Sequence, residues 1–413
     1  MHFELSQAKR RAALGITQIA TGLFLTLVFL DLLTYRAWQG DSIVKTISYS
    51  FRWGVSIFAL AFCAIYLARL RGIPLVFTPT ALFCGLVVAW FFIWLIERNA
   101  QLGWVAILLN PSYSLPTWML ILWIMLSSVT GVGRAVLSSC TGPFRWFALL
   151  SIVIATTIEI RSPLGLYLPS LSILVLYAAI ARPINSNQEL LYTLLGPAVV
   201  LACMAATGYR TYMLAAILVW PLRLFLSRMS RWRVLLVLLG LFSLPFVYAW
   251  IVSDGLLERL LDQNALLVDT RTFLFQELWD DYSFQEILIG RGIDGTYYSP
   301  YFYALTRTQD LLEADYYIRS GSEVGWINII IKFGFVGLFL FLGQILLSLW
   351  TASRENSNKD DEQLGALRFV LLMLFIFCIE LPASITAPYV LWYVAVGHLL
   401  RRASGVGTRY FRV

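Results

Sequence analysis

The sequence predicts an all-α, polytopic membrane protein: a bundle of about twelve transmembrane helices with one large helical loop outside the membrane. Three observations carry that prediction. Of the 413 residues 59% are hydrophobic and 13% charged, with mean hydropathy +0.74. Apolar runs long enough to cross a hydrocarbon layer of about 30 Å recur along the chain. One long polar segment, from Ser253 to Ser322, interrupts them. Lipid offers the backbone no hydrogen bonds, so only helices or closed barrels can span it, and runs this continuously apolar fit helices.

The opening MHFELSQAKRR leads into an apolar run that ends in LDLLTYRAWQ without a small-residue cleavage site, so it reads as a retained first helix rather than a signal peptide. Helices are expected near 14–33, 51–68, 79–96, 115–130, 146–160, 166–181, 190–207, 211–226, 234–252, 324–349, 368–384 and 386–400. They divide the chain into a bundle of nine helices over 1–252, an extracytoplasmic subdomain over 253–322, and the last three helices with a cytoplasmic tail over 323–413.

The net charge of +7 has a topological cause. With the N-terminus in the cytoplasm, the inner segments collect nineteen basic residues, among them Arg69, Arg134, Arg145, Arg182, Arg223, Arg368 and Arg401. The short outer segments hold six: Arg36, Lys45, Arg52, Arg98, Arg161 and Arg210. The positive-inside rule then puts both termini in the cytoplasm. No basic stretch is long enough to follow a phosphate backbone, so nucleic acid is not a partner. The cysteines (Cys63, Cys84, Cys140, Cys203, Cys378) lack metal-ligand spacing, and neither zinc nor a structural disulfide is expected.

The segment from Ser253 to Ser322 holds twelve of the chain's 24 acidic residues and five arginines. Its first part, GLLERLLDQNALL, sets Leu256, Leu257, Leu260, Leu261 and Leu267 on one helical face, as in a helix lying on the bilayer. A second helical stretch, RTFLFQELWDDY, precedes the turn GRGIDG. The inner stretch TASRENSNKDDEQ is polar and mixed in charge, and reads as a solvated linker.

Three places stand out together. TGYRTYMLAAIL puts Arg210 at the outer start of a helix; RTFLFQELWDDYSFQEILIGRGIDG combines Arg271, Trp279 and a glycine turn; SEVGWINIIIKFGFVGLFLF leads from the long loop into the next helix. In order and placement these resemble the O-antigen polymerase and O-antigen ligase superfamily of Gram-negative envelopes, over the part of the chain from Arg210 onward. The resemblance implies a GT-C-like membrane glycosyltransferase that uses no cofactor and no metal. Its donor is a glycan on undecaprenyl diphosphate and its acceptor a lipid-linked repeat unit. It also implies a site on the periplasmic face of the inner membrane and allows a chain-length regulator as partner. In one respect the chain departs from the ligases. Eleven residues before Gly334 stands Glu323, where they carry a histidine, and the only histidines, His2 and His398, fall on the cytoplasmic side. That favours a polymerase over a ligase acting on lipid A core. A polysaccharide or lipid transporter is the reading from a different class.

Such a transfer needs cations to hold the diphosphate as negative charge develops on it, and a base to take the acceptor's proton. Arg210 combines a helix N-terminus with a guanidinium, both suited to phosphate oxygens, or else it is an interfacial arginine marking a helix end. Arg271, and Arg291 between Gly290 and Gly292, are further clamps, the glycines letting backbone approach a ligand; alternatively both arginines pair with loop carboxylates such as Asp269, Asp280 and Asp281. Arg319 and Arg307 have lesser claims, and Trp279 belongs to the glycan-binding set. Glu323 is the candidate base, or an ordinary acid at a helix start. Adjacent Asp280 and Asp281 point about 100° apart on a helix and read as a solvated face rather than a metal site. Lys332 and Glu380 are expected to be buried near the outer ends of adjacent helices, as an ion pair or against the lipid phosphate.

Overall fold

A computed structural model describes residues 18–19, 21–28, 31, 54, 79–80, 82–83, 85–86, 89–90, 93, 123–124, 126–128, 132–142, 144–161, 168–226, 233–239, 270–292, 295–300, 318–319, 321–322, 324–354, 361–379 and 386–403. About 88% of them are helical. Ten helices carry labels here: α1 (Val132–Thr141), α2 (Phe144–Arg161), α3 (Pro169–Ala181), α4 (Asn187–Thr207), α5 (Arg210–Phe225), α6 (Thr270–Asp281), α7 (Phe284–Ile289), α8 (Gly325–Arg354), α9 (Asp361–Ile379) and α10 (Ala387–Ala403). Two short strands, β1 (Tyr297–Tyr298) and β2 (Ile318–Arg319), pair antiparallel. Every described residue within the expected helices near 14–33, 51–68, 79–96, 115–130 and 234–252 is also helical.

The all-α class follows from how the apolar runs pack. Among the described residues α4, α8 and α9 are long and apolar enough to cross a membrane, and α1 with α2, bent by 60°, passes the same test as a pair. On α2 a stripe of Ala148, Leu149, Ile152, Ala155 and Thr156 is buried, while Phe147, Leu150, Ile154, Ile158 and Ile160 are exposed. A helix facing water would be polar on that outer side; this one is suited to lipid. In the middle, α3 is buried along its whole length and packs on α2, α4, α5 and α9. Gly365 lets α9 approach closely, since a Cβ there would lie 2.6 Å from Cα of Ala181, a small-residue crossing of the kind that holds membrane helices together.

Local chemistry sets several helix ends. At the start of α4 the Ser186 side chain accepts the N–H of Glu189, and α4 stops at Gly208, whose φ of 81° suits a left-handed helix terminator. Two residues later α5 begins at Arg210. Buried arginines cap other ends in trans. Arg368 donates to the carbonyls of Leu226 (2.9 Å) and Ile180 (3.2 Å), and Arg223 donates to those of Ala179 and Arg182. These cations thus sit at the negative ends of α3 and α5. Elsewhere the Asp31 carboxylate accepts the N–H of Ala387 (2.5 Å) and the hydroxyl of Ser170 (3.1 Å), tying the first helix to the starts of α10 and α3.

These contacts sort the helix ends. The C-terminal ends of α3 and α5 and the first turns of α9 share an arginine-rich end of the bundle. Near the start of α8, Trp326 donates Nε1 to the carbonyl of Cys378 in the last turn of α9 (3.2 Å), so the N-terminus of α8, like that of α5, lies at the opposite end.

Three expectations need correction. The inner connection after residue 130 contains a helix, α1, because Val132, Val136, Leu137 and Cys140 form one buried face. The stretch read as a solvated linker is helical at both ends: α8 runs on to Arg354, and α9 starts at Asp361, where Asp361 and Glu362 suit the positive helix end. For the same reason α9 begins at Asp361 rather than near 368; residues 380–384 of the expected helix lie outside the described residues. The surface helix expected at GLLERLLDQNALL lies outside the described residues, as do Glu323, Glu380 and Arg307.

Candidate functional site

The described part of the long loop is built around one guanidinium. Ser283 and Glu286 form a reciprocal capping box at the start of α7, so the Glu286 carboxylate is fixed where the chain turns. Arg291 then donates Nε to Glu286 Oε1 (2.8 Å), Nη1 to Asp281 Oδ2 (2.6 Å) and to the Thr296 carbonyl (2.9 Å), and Nη2 to the Asp281 carbonyl (2.7 Å) and Glu286 Oε2 (3.4 Å). Its plane lies 3.9 Å over the Tyr282 ring. All five guanidinium donors are therefore engaged. Asp281 also accepts the N–H of Tyr298, and the Ser299 hydroxyl donates to Glu277 at 2.6 Å, which fastens α6 to β1.

This assembly docks on a broken membrane helix. Inside α8, Gly334 takes φ 63° and ψ −170°, a non-helical conformation, so the carbonyls of Ile331 and Lys332 lose the partners an unbroken helix would give them. The loop supplies replacements: Arg291 N–H donates to the Ile331 carbonyl and Gly292 N–H to that of Lys332, both at 3.0 Å. The Tyr282 hydroxyl lies 3.1 Å from the carbonyls of both Thr296 and Ile331. A Cβ on Gly290 would fall 2.4 Å from the Lys332 carbonyl, and one on Gly334 2.2 Å from the Leu288 carbonyl. From the other side Trp90 donates Nε1 to the Ile289 carbonyl at 2.9 Å and covers Gly292 with its ring.

The hydrogen bond from Arg291 holds the Glu286 carboxyl at about 2, against the opposing effect of burial. Burial pushes the Tyr282 phenol above its ordinary value. A carboxyl whose folded value is lowered stabilises the fold above its unfolded value, near 4.5, and that contribution is lost as pH falls from there toward about 2. Protease resistance of the loop is therefore expected to hold from neutral pH to about 5 and to fall below about 4. In Glu286→Gln that acid transition should flatten; an unchanged transition would mean that other carboxylates control it.

The residues singled out from the sequence are distributed unevenly. Gly290, Arg291 and Gly292 come together at the break in α8; the glycines approach protein backbone and Trp90, and Arg291 pairs with loop carboxylates. Asp280 is exposed while Asp281 turns onto Arg291, so the adjacent acids have different surroundings. Arg319 stands in β2 opposite Tyr297, and Trp279 is exposed on α6. Arg271 lies in the first turn of α6. Arg210 is exposed at the first position of α5, whose main packing partners are α3, α4 and α9. Lys332 is buried beside the break. Sequence reasoning missed Tyr282, Glu286 and Trp90. Only the Ser283–Glu286 spacing offered a local signal.

At the arginine-rich end a cleft of about 270 Å³ is lined by Arg134, Ser138, Thr141, Tyr177, Arg182, Asp361 and Glu362. Its Arg134 and Glu362 already form an ion pair at 3.0 Å. It lies away from the loop and its mixed charge favours no one ligand sign. The chain matches no protein-family model and no curated protein.

Proposed function

We propose that this chain is a twelve-helix membrane glycosyltransferase of the inner membrane, a polymerase that extends a polysaccharide from an undecaprenyl diphosphate donor on the periplasmic side. The observation that carries this reading is the junction of the G-R-G turn with the break at Gly334, which joins two of the three sequence regions in one construction. The third, Arg210, is exposed at the first position of α5.

In the reaction the acceptor hydroxyl oxygen bonds to the anomeric carbon as the bond from that carbon to the diphosphate oxygen breaks. The electron pair leaves on the diphosphate, held by Arg210 and Arg271, and the acceptor's proton passes to Glu323. Arg291 enters as the residue that shapes the loop. Purified protein given lipid-linked repeat units is expected to produce a ladder of lengthening products. A single transfer to lipid A core would identify a ligase. Movement of the lipid-linked glycan without bond formation would identify a transporter, a reading that the broken helix favours because transporters build sites at such breaks.

A further inference from the structure

We infer that Arg145 is the binding residue for the phosphate of an anionic phospholipid, seated between α2 and α4 at the arginine-rich end of the bundle. Most arginines around it have protein acceptors: Arg223 and Arg368 donate to helix carbonyls, Arg182 to Glu189, and Arg134 to Glu362. Arg145 is different. It is 7% exposed, and no oxygen among the described residues accepts from its guanidinium. Its contacts are with ring faces, 5.1 Å from the centroid of Tyr192 and 5.7 Å from that of Trp146. The two rings meet edge to face at 5.0 Å, and the Tyr192 hydroxyl donates to the Arg145 carbonyl at 3.1 Å. The aromatic walls are thus held by the same residue whose charge they flank.

Stacking on rings satisfies none of its five donors, so with no acceptor among the described residues the guanidinium is open to an outside partner. The nearby charged groups are Arg182 and Glu189. Glu189 is already taken, by Arg182 at one oxygen (3.1 Å) and by the N–H of Asn185 at the other (2.9 Å), so the field at Arg145 lacks a free carboxylate. An anion with several acceptor oxygens completes the site, and phosphate matches the guanidinium fork. The surroundings identify its source. Phe147 and Leu150 on α2, and Leu191 and Leu194 on α4, are exposed on the outer faces of the two helices that carry Arg145 and Tyr192, where acyl chains can lie along them. A basic pocket between membrane helices, walled by apolar side chains, is the setting in which acidic headgroups bind. This inference rests on the reading that these helices lie in a bilayer, and it is independent of glycosyl transfer.

The test uses the full chain purified in detergent, with no activity measurement, so failure of the transfer reaction would leave it standing. Added phosphatidylglycerol is expected to be retained in native mass spectra and to raise the melting temperature; phosphatidylcholine and soluble glycerol phosphate should do neither. Arg145→Gln should weaken phosphatidylglycerol binding by roughly tenfold or more, Arg145→Lys by less, and Arg161→Gln, at the other end of the same helix, not at all. A photoreactive phosphatidylglycerol should label the unaltered protein between residues 144 and 150 or 190 and 194, a readout that needs no variant to fold. Labelling confined to other segments, equal binding by Arg145→Gln, or an equal response to glycerol phosphate would overturn the lipid assignment.

Discussion

Replacing Gly290 with alanine is expected to release the loop from α8, with a loss of stability of about 3 kcal/mol or more at that junction. Two effects add. The residue has φ 77° and ψ 173°, a region open essentially to glycine alone, and the new Cβ would fall 2.4 Å from the carbonyl carbon and oxygen of Lys332. Those contacts are backbone atoms of a packed helix, which cannot swing aside as a side-chain tip can. Gly208 provides the comparison. Its φ is 81° and nothing lies within 4 Å of a Cβ placed there, so alanine should cost only about 1 kcal/mol from the dihedral angle. Limited proteolysis reads the difference: cleavage between Tyr282 and Ser299 should speed up strongly in Gly290→Ala and hardly change in Gly208→Ala. Equal effects of the two substitutions would show that the close approach to Lys332 contributes nothing.

The consequence reaches beyond stability, because the hydrogen bonds at risk serve both partners. Arg291 and Gly292 satisfy carbonyls that the break at Gly334 sets free; without them the buried Lys332 carbonyl would be unpaired and that of Ile331 would keep only the Tyr282 hydroxyl. Loop and helix therefore define each other's geometry. A helix straightened at Gly334 would have no free carbonyls to offer, and an undocked loop would leave the break unsupported.

What the sequence made legible follows from the range of the interactions involved. The runs that became α2 to α5 and α8 to α10 announce themselves by continuous apolarity, which lipid-facing helices require on every side. The position of Arg210 was readable because Gly208 ends one helix two residues before the next begins. For Arg291, pairing with loop carboxylates was one of two readings, and Asp281 was among the partners considered. Glu286 was not, although its capping-box spacing fixes it beside the turn. The contact of Trp90 with the Ile289 carbonyl joins residues 199 positions apart, and the docking of the G-R-G turn depends on a helix break some forty residues away; neither has a local signature. Short α1 was missed because its buried face covers only three turns.

On the proposed mechanism, the largest expected effect on chemistry is at Arg210, Arg271 and Glu323. If the two arginines hold the diphosphate through bidentate forks, lysine preserves charge but not planar geometry, so Arg210→Lys and Arg271→Lys should both impair transfer. Loss of a charge-assisted contact of about 2 to 4 kcal/mol in the transition state corresponds to roughly 30- to 1000-fold in rate. For Arg210 the structural cost of the change is small. The residue is exposed at the first position of α5, and lysine is as good a helix former as arginine, so membrane abundance should stay near normal. Glu323→Gln keeps the shape of the side chain but removes the proton acceptor, so donor affinity should survive while polymer formation stops. Donor affinity and polymer formation, measured for the three variants at matched protein levels, separate the roles: a raised donor Kd with slowed transfer marks a clamp, and slowed transfer alone marks the base. Normal polymer formation in all three would sink the mechanism, and activity falling in step with protein abundance would return these residues to a structural role.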